Sequence, residues 1–118
     1  MHVLKFGGTS LGNAECITNV FNILLGRSQK TRVGVVVSAI GGITDYLANS
    51  IQDAIKGINV LELIMPFRIK HEGIINALFE QKKFLLDSLQ RYLDATCSEY
   101  DSLLRGAQLI KECPDSVY

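Results

Sequence analysis

The sequence predicts an α/β fold with a parallel sheet, incomplete over this length, and a helix-rich second half. Three observations predict it. The short apolar segment Val3-Leu4-Lys5-Phe6 reads as a strand, is followed by a helical face, and leads into the continuous run Val33-Gly34-Val35-Val36-Val37. Strand, helix and strand in this order make a βαβ unit, normally a right-handed crossover. The second run is apolar and largely β-branched, the pattern of a strand buried on both faces of a parallel sheet. Beyond Gly57 the apolar residues recur only at helical spacing. Two convincing strands fall short of the roughly four to six that a sheet usually holds, so the pattern is that of a fold cut short.

Each element has its own justification. Residues 14–25 carry Ile17, Val20, Phe21 and Leu24 on one helical face, with Gly26 as the expected stop. A second helix is expected near Thr44-Asp45, both good capping types, with Leu47, Ile51, Ala54, Ile55 and Ile58 on its apolar face. Three further stripes follow: Phe67, His71, Ile74, Ile75 and Leu78; then Leu85, Leu86, Leu89 and Leu93; then Tyr100, Leu103, Leu104, Ala107 and Ile110. Pro66 is expected to start a helix or to break one. Residues 1–58 thus form a βαβα unit and residues 59–118 a helical segment, closing on Cys113-Pro114-Asp115-Ser116-Val117-Tyr118 where a further element would begin.

Composition narrows the function classes. Hydrophobic residues make up 47% of the 118 positions and charged residues 20%, which is globular and excludes a disordered chain. Twelve basic and twelve acidic residues cancel, and Lys82-Lys83 is only a pair, so nothing favours nucleic acid or an anionic membrane surface. Cys16, Cys97 and Cys113 lie far apart without Cys-x-x-Cys spacing, which fits reduced thiols in a cytoplasmic protein rather than a zinc or redox site. The N-terminal apolar run is broken by glycines and too short for a signal peptide, and no stretch reaches the ~20 apolar residues of a membrane span.

In open α/β sheets, ligands bind outside the carboxyl ends of the strands. Here those ends are the segments 5–10 and 38–44. In Lys5-Phe6-Gly7-Gly8-Thr9-Ser10, paired glycines after a strand let backbone N–H groups converge on an anion, and Lys5 adds a compact positive charge. Phosphoryl transfer asks a protein for little beyond such positioning and charge neutralisation. The segment is neither a Walker A motif nor Gly-x-Gly-x-x-Gly, and it also reads as a tight turn with a capping Thr9 or Ser10. In Ser38-Ala39-Ile40-Gly41-Gly42-Ile43-Thr44-Asp45, a second glycine pair follows a strand, with hydroxyls at Ser38 and Thr44. Its amides near Gly41 and Gly42 suit a carboxylate or phosphate; the alternative is a helix cap supplied by Thr44 or Asp45. Elsewhere the bland readings hold. His71 sits on an apolar stripe as a core or interface histidine, and Glu62, Glu72 and Glu80 read as solvent-facing. No acid–base pair, triad or metal cluster emerges from the spacing.

At the two loops the sequence resembles the aspartokinase branch of the amino acid kinase family. Lys5-Phe6-Gly7-Gly8-Thr9-Ser10 is similar to that branch's opening signature in full, and Val36-Val37-Ser38-Ala39-Ile40-Gly41-Gly42-Ile43-Thr44-Asp45 to its second, at the expected separation. Relatives such as glutamate 5-kinase and UMP kinase share the fold, but their first loops are not Phe-Gly-Gly-Thr-Ser. The later helices and the Cys113-Pro114-Asp115-Ser116 ending resemble the helical insert of aspartokinases fused to homoserine dehydrogenase. The resemblance runs over essentially the whole chain and implies the three-layer α/β/α, carbamate kinase-like fold of that family.

It also implies a reaction, in which ATP with magnesium phosphorylates L-aspartate to 4-phospho-L-aspartate on the way to lysine, threonine and methionine. By resemblance, Lys5 is catalytic, stabilising charge on the transferred γ-phosphoryl group. Phe6, Gly7, Gly8, Thr9 and Ser10 join it around the ATP phosphates, and Ser38, Gly41, Gly42 and Thr44 lie on the aspartate side. The longer enzyme is expected to be a homo-oligomer in the cytoplasm. The family's Gly-Glu signature, substrate-pairing arginine, Gly-Ser-Asp loop, adenine-binding half and ACT domains are not found in the sequence, so negligible turnover is expected of this chain alone. Two other hypotheses stand beside it: a non-catalytic helical module in which residues 60–112 pair with another copy or another chain, and an amino acid kinase acting on a different acid.

Overall fold

The structure, a computed structural model, describes residues 1–110; the Cys113-Pro114-Asp115-Ser116 segment lies outside the described residues. The chain divides into two compact units, Met1–Thr44 and a second beginning at Asp45.

In the first unit, β1 (His2–Phe6) and β2 (Val33–Val37) form a two-stranded parallel sheet joined through helix α1 (Ala14–Ser28). The register pairs His2 with Val33 and Phe6 with Val37, so the two strands end level. The Asn13 side chain caps α1 by accepting from the Cys16 amide at 2.8 Å, which satisfies one of the amides a helix start leaves without a partner. The helix passes through Gly26 and ends at Ser28, where Lys30 and Thr31 both donate to the Arg27 carbonyl. A glycine inside a helix is disfavoured by only about 1 kcal/mol relative to alanine, too little to stop it against continued hydrogen bonding. Val20 is buried on the α1 face, but Phe21 is exposed.

The sheet also corrects an expectation. Val35, Val36 and Val37 are 45%, 50% and 58% exposed, so β2 is not buried on both faces. Its sequence is that of an inner strand, but this sheet holds one neighbouring strand, and nothing among the described residues shields these valines.

The second unit is helical. Helix α2 (Ile43–Ile55) enters it, followed by α3 (Val60–Phe79) and α4 (Lys83–Ile110). Asn59 caps α3 through the Leu61 amide, and Lys82 N–H to Phe79 O closes the turn between α3 and α4. Leu63, Ile64 and Phe67 of α3 and Leu93, Cys97, Tyr100 and Leu104 of α4 are buried. The Tyr100 ring meets Phe67 edge-on at 5.1 Å, and its hydroxyl donates to the buried Ser50 of α2. Pro66 lies inside α3 and neither starts nor ends it. The two last apolar stripes belong to one 28-residue helix, about 42 Å long at 1.5 Å per residue. Leu103, placed on its inner stripe by the sequence, is 72% exposed. His71 is half-buried, its ring tilted 35° against Phe67 at 4.3 Å and its Nδ1 2.8 Å from the Phe67 carbonyl, as a satisfied packing histidine should be. Glu72 is not simply solvent-facing, since it joins Asp94 around the Arg68 guanidinium. No helix of the described residues is long and apolar enough to cross a membrane.

Candidate active site

Both glycine loops belong to the first unit and leave the sheet at one edge, because the strands are parallel and end in register. The ladder continues one step beyond the strands through Ser38 N–H to Phe6 O at 3.1 Å. From there the loops diverge in form. The first passes Gly7 in extended conformation and tightens into a 3-10 turn, Gly8–Leu11, tied by Ser10 N–H to Gly7 O at 3.1 Å and anchored by buried Leu11. The amides of Gly8 and Thr9 begin this turn and find no acceptor inside it. The second loop turns through Ile43 N–H to Ile40 O at 3.0 Å, with Gly42 at φ +84°, a backbone setting that L side chains rarely adopt. Buried Ile43 then opens α2.

The loops touch through glycine. A Cβ placed on Gly8 would lie 3.3 Å from the Gly41 Cα and 3.5 Å from the Ser38 hydroxyl oxygen. A Cβ on Gly41 would lie 2.7 Å from the Gly8 carbonyl oxygen and 3.6 Å from the Gly12 Cα. By contrast a Cβ on Gly7 would meet nothing, so the outer side of that residue is open to a ligand.

Of the residues singled out in the sequence, Gly8, Ser38 and Gly41 therefore meet, with Gly7 and Gly42 as their chain neighbours on either loop. Thr9, Ser10 and Thr44 are exposed, and the Ser38 hydroxyl donates to the Ala39 carbonyl at 2.6 Å, which leaves its lone pairs available as acceptors. Lys5 is exposed on β1, whereas Leu4 and Phe6 are half-buried; strand alternation puts Lys5 on the opposite sheet face from those two. Helix α2 begins one residue before Thr44, so Thr44 and Asp45 stand inside its first turn instead of capping it, and Asp45 there complements the helix dipole. Gly12 was not singled out. Its only signal was a spacing of four residues from Gly8, which acquires meaning once the 3-10 turn stacks the two.

The donor set fits phosphate. It combines one ammonium, several hydroxyls and amides bared by glycine, and it contains no carboxylate cluster: among the described residues no group of three or more His, Cys, Asp or Glu side chains stands ready for a metal ion.

The model of the amino acid kinase family matches residues 1–102. The chain belongs to the amino acid kinase family. Within it, the chain is 35% identical to the bifunctional aspartokinase/homoserine dehydrogenase of Buchnera aphidicola (subsp. Acyrthosiphon pisum), over 99% of its own length and 14% of that relative's. The chloroplastic bifunctional aspartokinase/homoserine dehydrogenase 2 of Zea mays is 42% identical over 52 residues, 44% of this chain and 6% of the maize protein. This amino acid kinase chain thus corresponds to an aspartokinase segment and spans about one-seventh of the Buchnera relative. A donor set suited to phosphate at the sheet edge is in keeping with a family of kinases.

Proposed function

We propose that the two loops are the phosphate side and the amino acid side of an aspartate kinase site, which transfers the γ-phosphoryl group of ATP to L-aspartate and yields 4-phospho-L-aspartate for lysine, threonine and methionine synthesis. The observation that carries this reading is the backbone contact of Gly8 with Gly41 at the level ends of two parallel strands. It joins the two glycine loops, one of which follows the strand that carries Lys5 and the other of which contains Ser38 and Thr44. In this reading Lys5 neutralises charge on the transferred group, while Phe6 to Ser10 hold the ATP phosphates through bared amides and hydroxyls. Ser38, Gly41, Gly42 and Thr44 lie on the aspartate side, where Ser38, its proton given to the Ala39 carbonyl, accepts from the substrate's ammonium group. ATP with magnesium supplies the phosphoryl group, and the enzyme's remaining chain completes the three-layer α/β/α domain. The βαβα segment 1–58 carries the loops, and the helical segment follows it. The longer enzyme is taken to be a cytoplasmic homo-oligomer.

The test is a titration of the ¹⁵N-labelled chain followed by its amide resonances. Mg–ATP is expected to move the amides of Gly7, Gly8, Thr9 and Ser10, and to do so weakly in Lys5→Ala. L-Aspartate, added after the nucleotide, is expected to move those of residues 38–44, with L-glutamate much weaker. Resonances that respond to neither ligand would sink the assignment, and an equal response to glutamate would point to a different acid.

A further inference from the structure

We propose that Gly41 is a positioning residue, whose bare Cα seated against Gly8 and Gly12 sets the separation of the two substrate loops and the tilt of the Gly8–Thr9 peptide. This rests on the assignment of the loops to nucleotide and amino acid, and it adds a residue, Gly12, that belongs to neither signature.

The contact is backbone on backbone. A Cβ on Gly41 would stand 2.7 Å from the Gly8 carbonyl oxygen, 3.3 Å from its carbon and 3.6 Å from the Gly12 Cα. None of these atoms is the end of a side chain that could swing aside, so the loops themselves must part. They would have to move by about 0.7 Å to restore the roughly 3.4 Å at which ordinary van der Waals contact begins. The requirement for glycine at 41 is purely spatial. Among the described residues the positive-φ glycines are Gly42 and Gly57, so an alanine at 41 would suffer no backbone strain of its own.

The oxygen that Gly41 touches is one end of a planar peptide whose other end is the Thr9 N–H. Pressing on Gly8 O therefore tilts the Thr9 amide, one of the donors offered to phosphate. Gly12 lies at the far side of the seat: it follows the 3-10 turn in helical conformation, φ −73°, and a Cβ of its own would meet Thr9 O at 3.5 Å and Gly8 O at 3.8 Å. Gly41 thus acts on the nucleotide loop through Gly8, although it lies 33 residues away along the chain.

Three forms of the labelled chain decide the matter: the natural sequence, Gly41→Ala, and Gly26→Ala as a control on α1 where a Cβ meets nothing. Without ligand, Gly41→Ala should shift the Thr9 and Ser10 amide resonances and speed hydrogen exchange at Ser10, whose N–H is bonded to Gly7 O; Gly26→Ala should do neither. With Mg–ATP, Gly41→Ala should bind on the order of tenfold to a hundredfold more weakly, the cost of misaligning one hydrogen bond to a charged group. Wild-type affinity in Gly41→Ala overturns the inference, even where Thr9 and Ser10 shift, because the contact is then structural only. Should the natural chain fail to bind Mg–ATP, the nucleotide assignment fails on its own, and unmoved Thr9 and Ser10 amides in the ligand-free comparison would separately sink the spacing role. If Gly41→Ala does not fold, the natural chain still decides: Mg–ATP must move the Gly41 amide together with that of Gly8, and a stationary Gly41 refutes the coupling.

Discussion

Gly42 and Gly41 are neighbours with different reasons to be glycine. At Gly42 the reason is φ +84°, and a Cβ there would meet no atom. Gly42→Ala should therefore lower stability by about 1–2 kcal/mol, the strain of a left-handed backbone on an L side chain, without spreading the loops. Chemical denaturation measures the first part, and unshifted Thr9 and Ser10 amides would establish the second. Tyr100 supplies a pH-dependent case. Burial raises its phenol above the ordinary 10.0, while its hydrogen bond with Ser50 pulls the other way. A folded value above the unfolded one means stability that is fully present below pH 10 and is lost as pH rises through the folded value, because the unfolded tyrosine ionises first. Between pH 9 and 11.5 the unfolding free energy should fall, and Tyr100→Phe should flatten that fall; an unchanged slope would assign the loss to other groups such as Tyr46, also raised by burial. Residue identity was highly legible at the loops themselves. Strand-then-glycine chemistry is local, so Lys5 to Ser10 and Ser38 to Thr44 stood out in the sequence. Gly12 did not, since its partner Gly41 is reached only through the crossover.

At the scale of elements, β1, β2 and the existence of each helix were readable from period, but their limits were set by competition. Gly26 and Pro66 are both punctuation in a sequence and both lie inside helices here. Each removes a modest amount of helix stability, and the hydrogen bonds on either side outweigh it. Likewise the leucine stripe and the Tyr100 stripe fall on one helix, and Leu93, Cys97, Tyr100 and Leu104 form a buried line through the middle of α4. Pro66 offers a test. It is the seventh residue of α3, where an N–H would bond the Glu62 carbonyl, and its ring crowds that same carbonyl. Pro66 is exposed, so replacing it disturbs no core contact. Pro66→Ala should raise the stability of the helical unit by roughly 1–3 kcal/mol, the helix gain less the freedom returned to the unfolded chain. Denaturant midpoints read this directly, and a destabilised variant would mean that α3 needs the proline for a bend.

For the molecule as a whole, the β-sheet is the decisive element. The apolar, β-branched β2 has the sequence of an inner strand, yet Val35, Val36 and Val37 stand 45–58% exposed beside a single partner. Parallel sheets are buried on both faces almost without exception, so the side chains of β2 are those of a sheet with more strands than two. The chain spans 14% of its Buchnera relative, and the site proposed here presents one lysine and two glycine loops. Orientation of both substrates supplies about 7–11 kcal/mol of barrier reduction in well-built sites, and in the proposed site two loops on a two-stranded sheet would hold only one edge of each substrate. The 118-residue polypeptide by itself should accordingly bind Mg–ATP weakly and release no aspartate-dependent ADP above a Lys5→Ala control. A coupled ADP assay at saturating aspartate reads this. Turnover clearly above that control would show that the edge alone orients both reactants, and the requirement for a completed sheet would have to be abandoned.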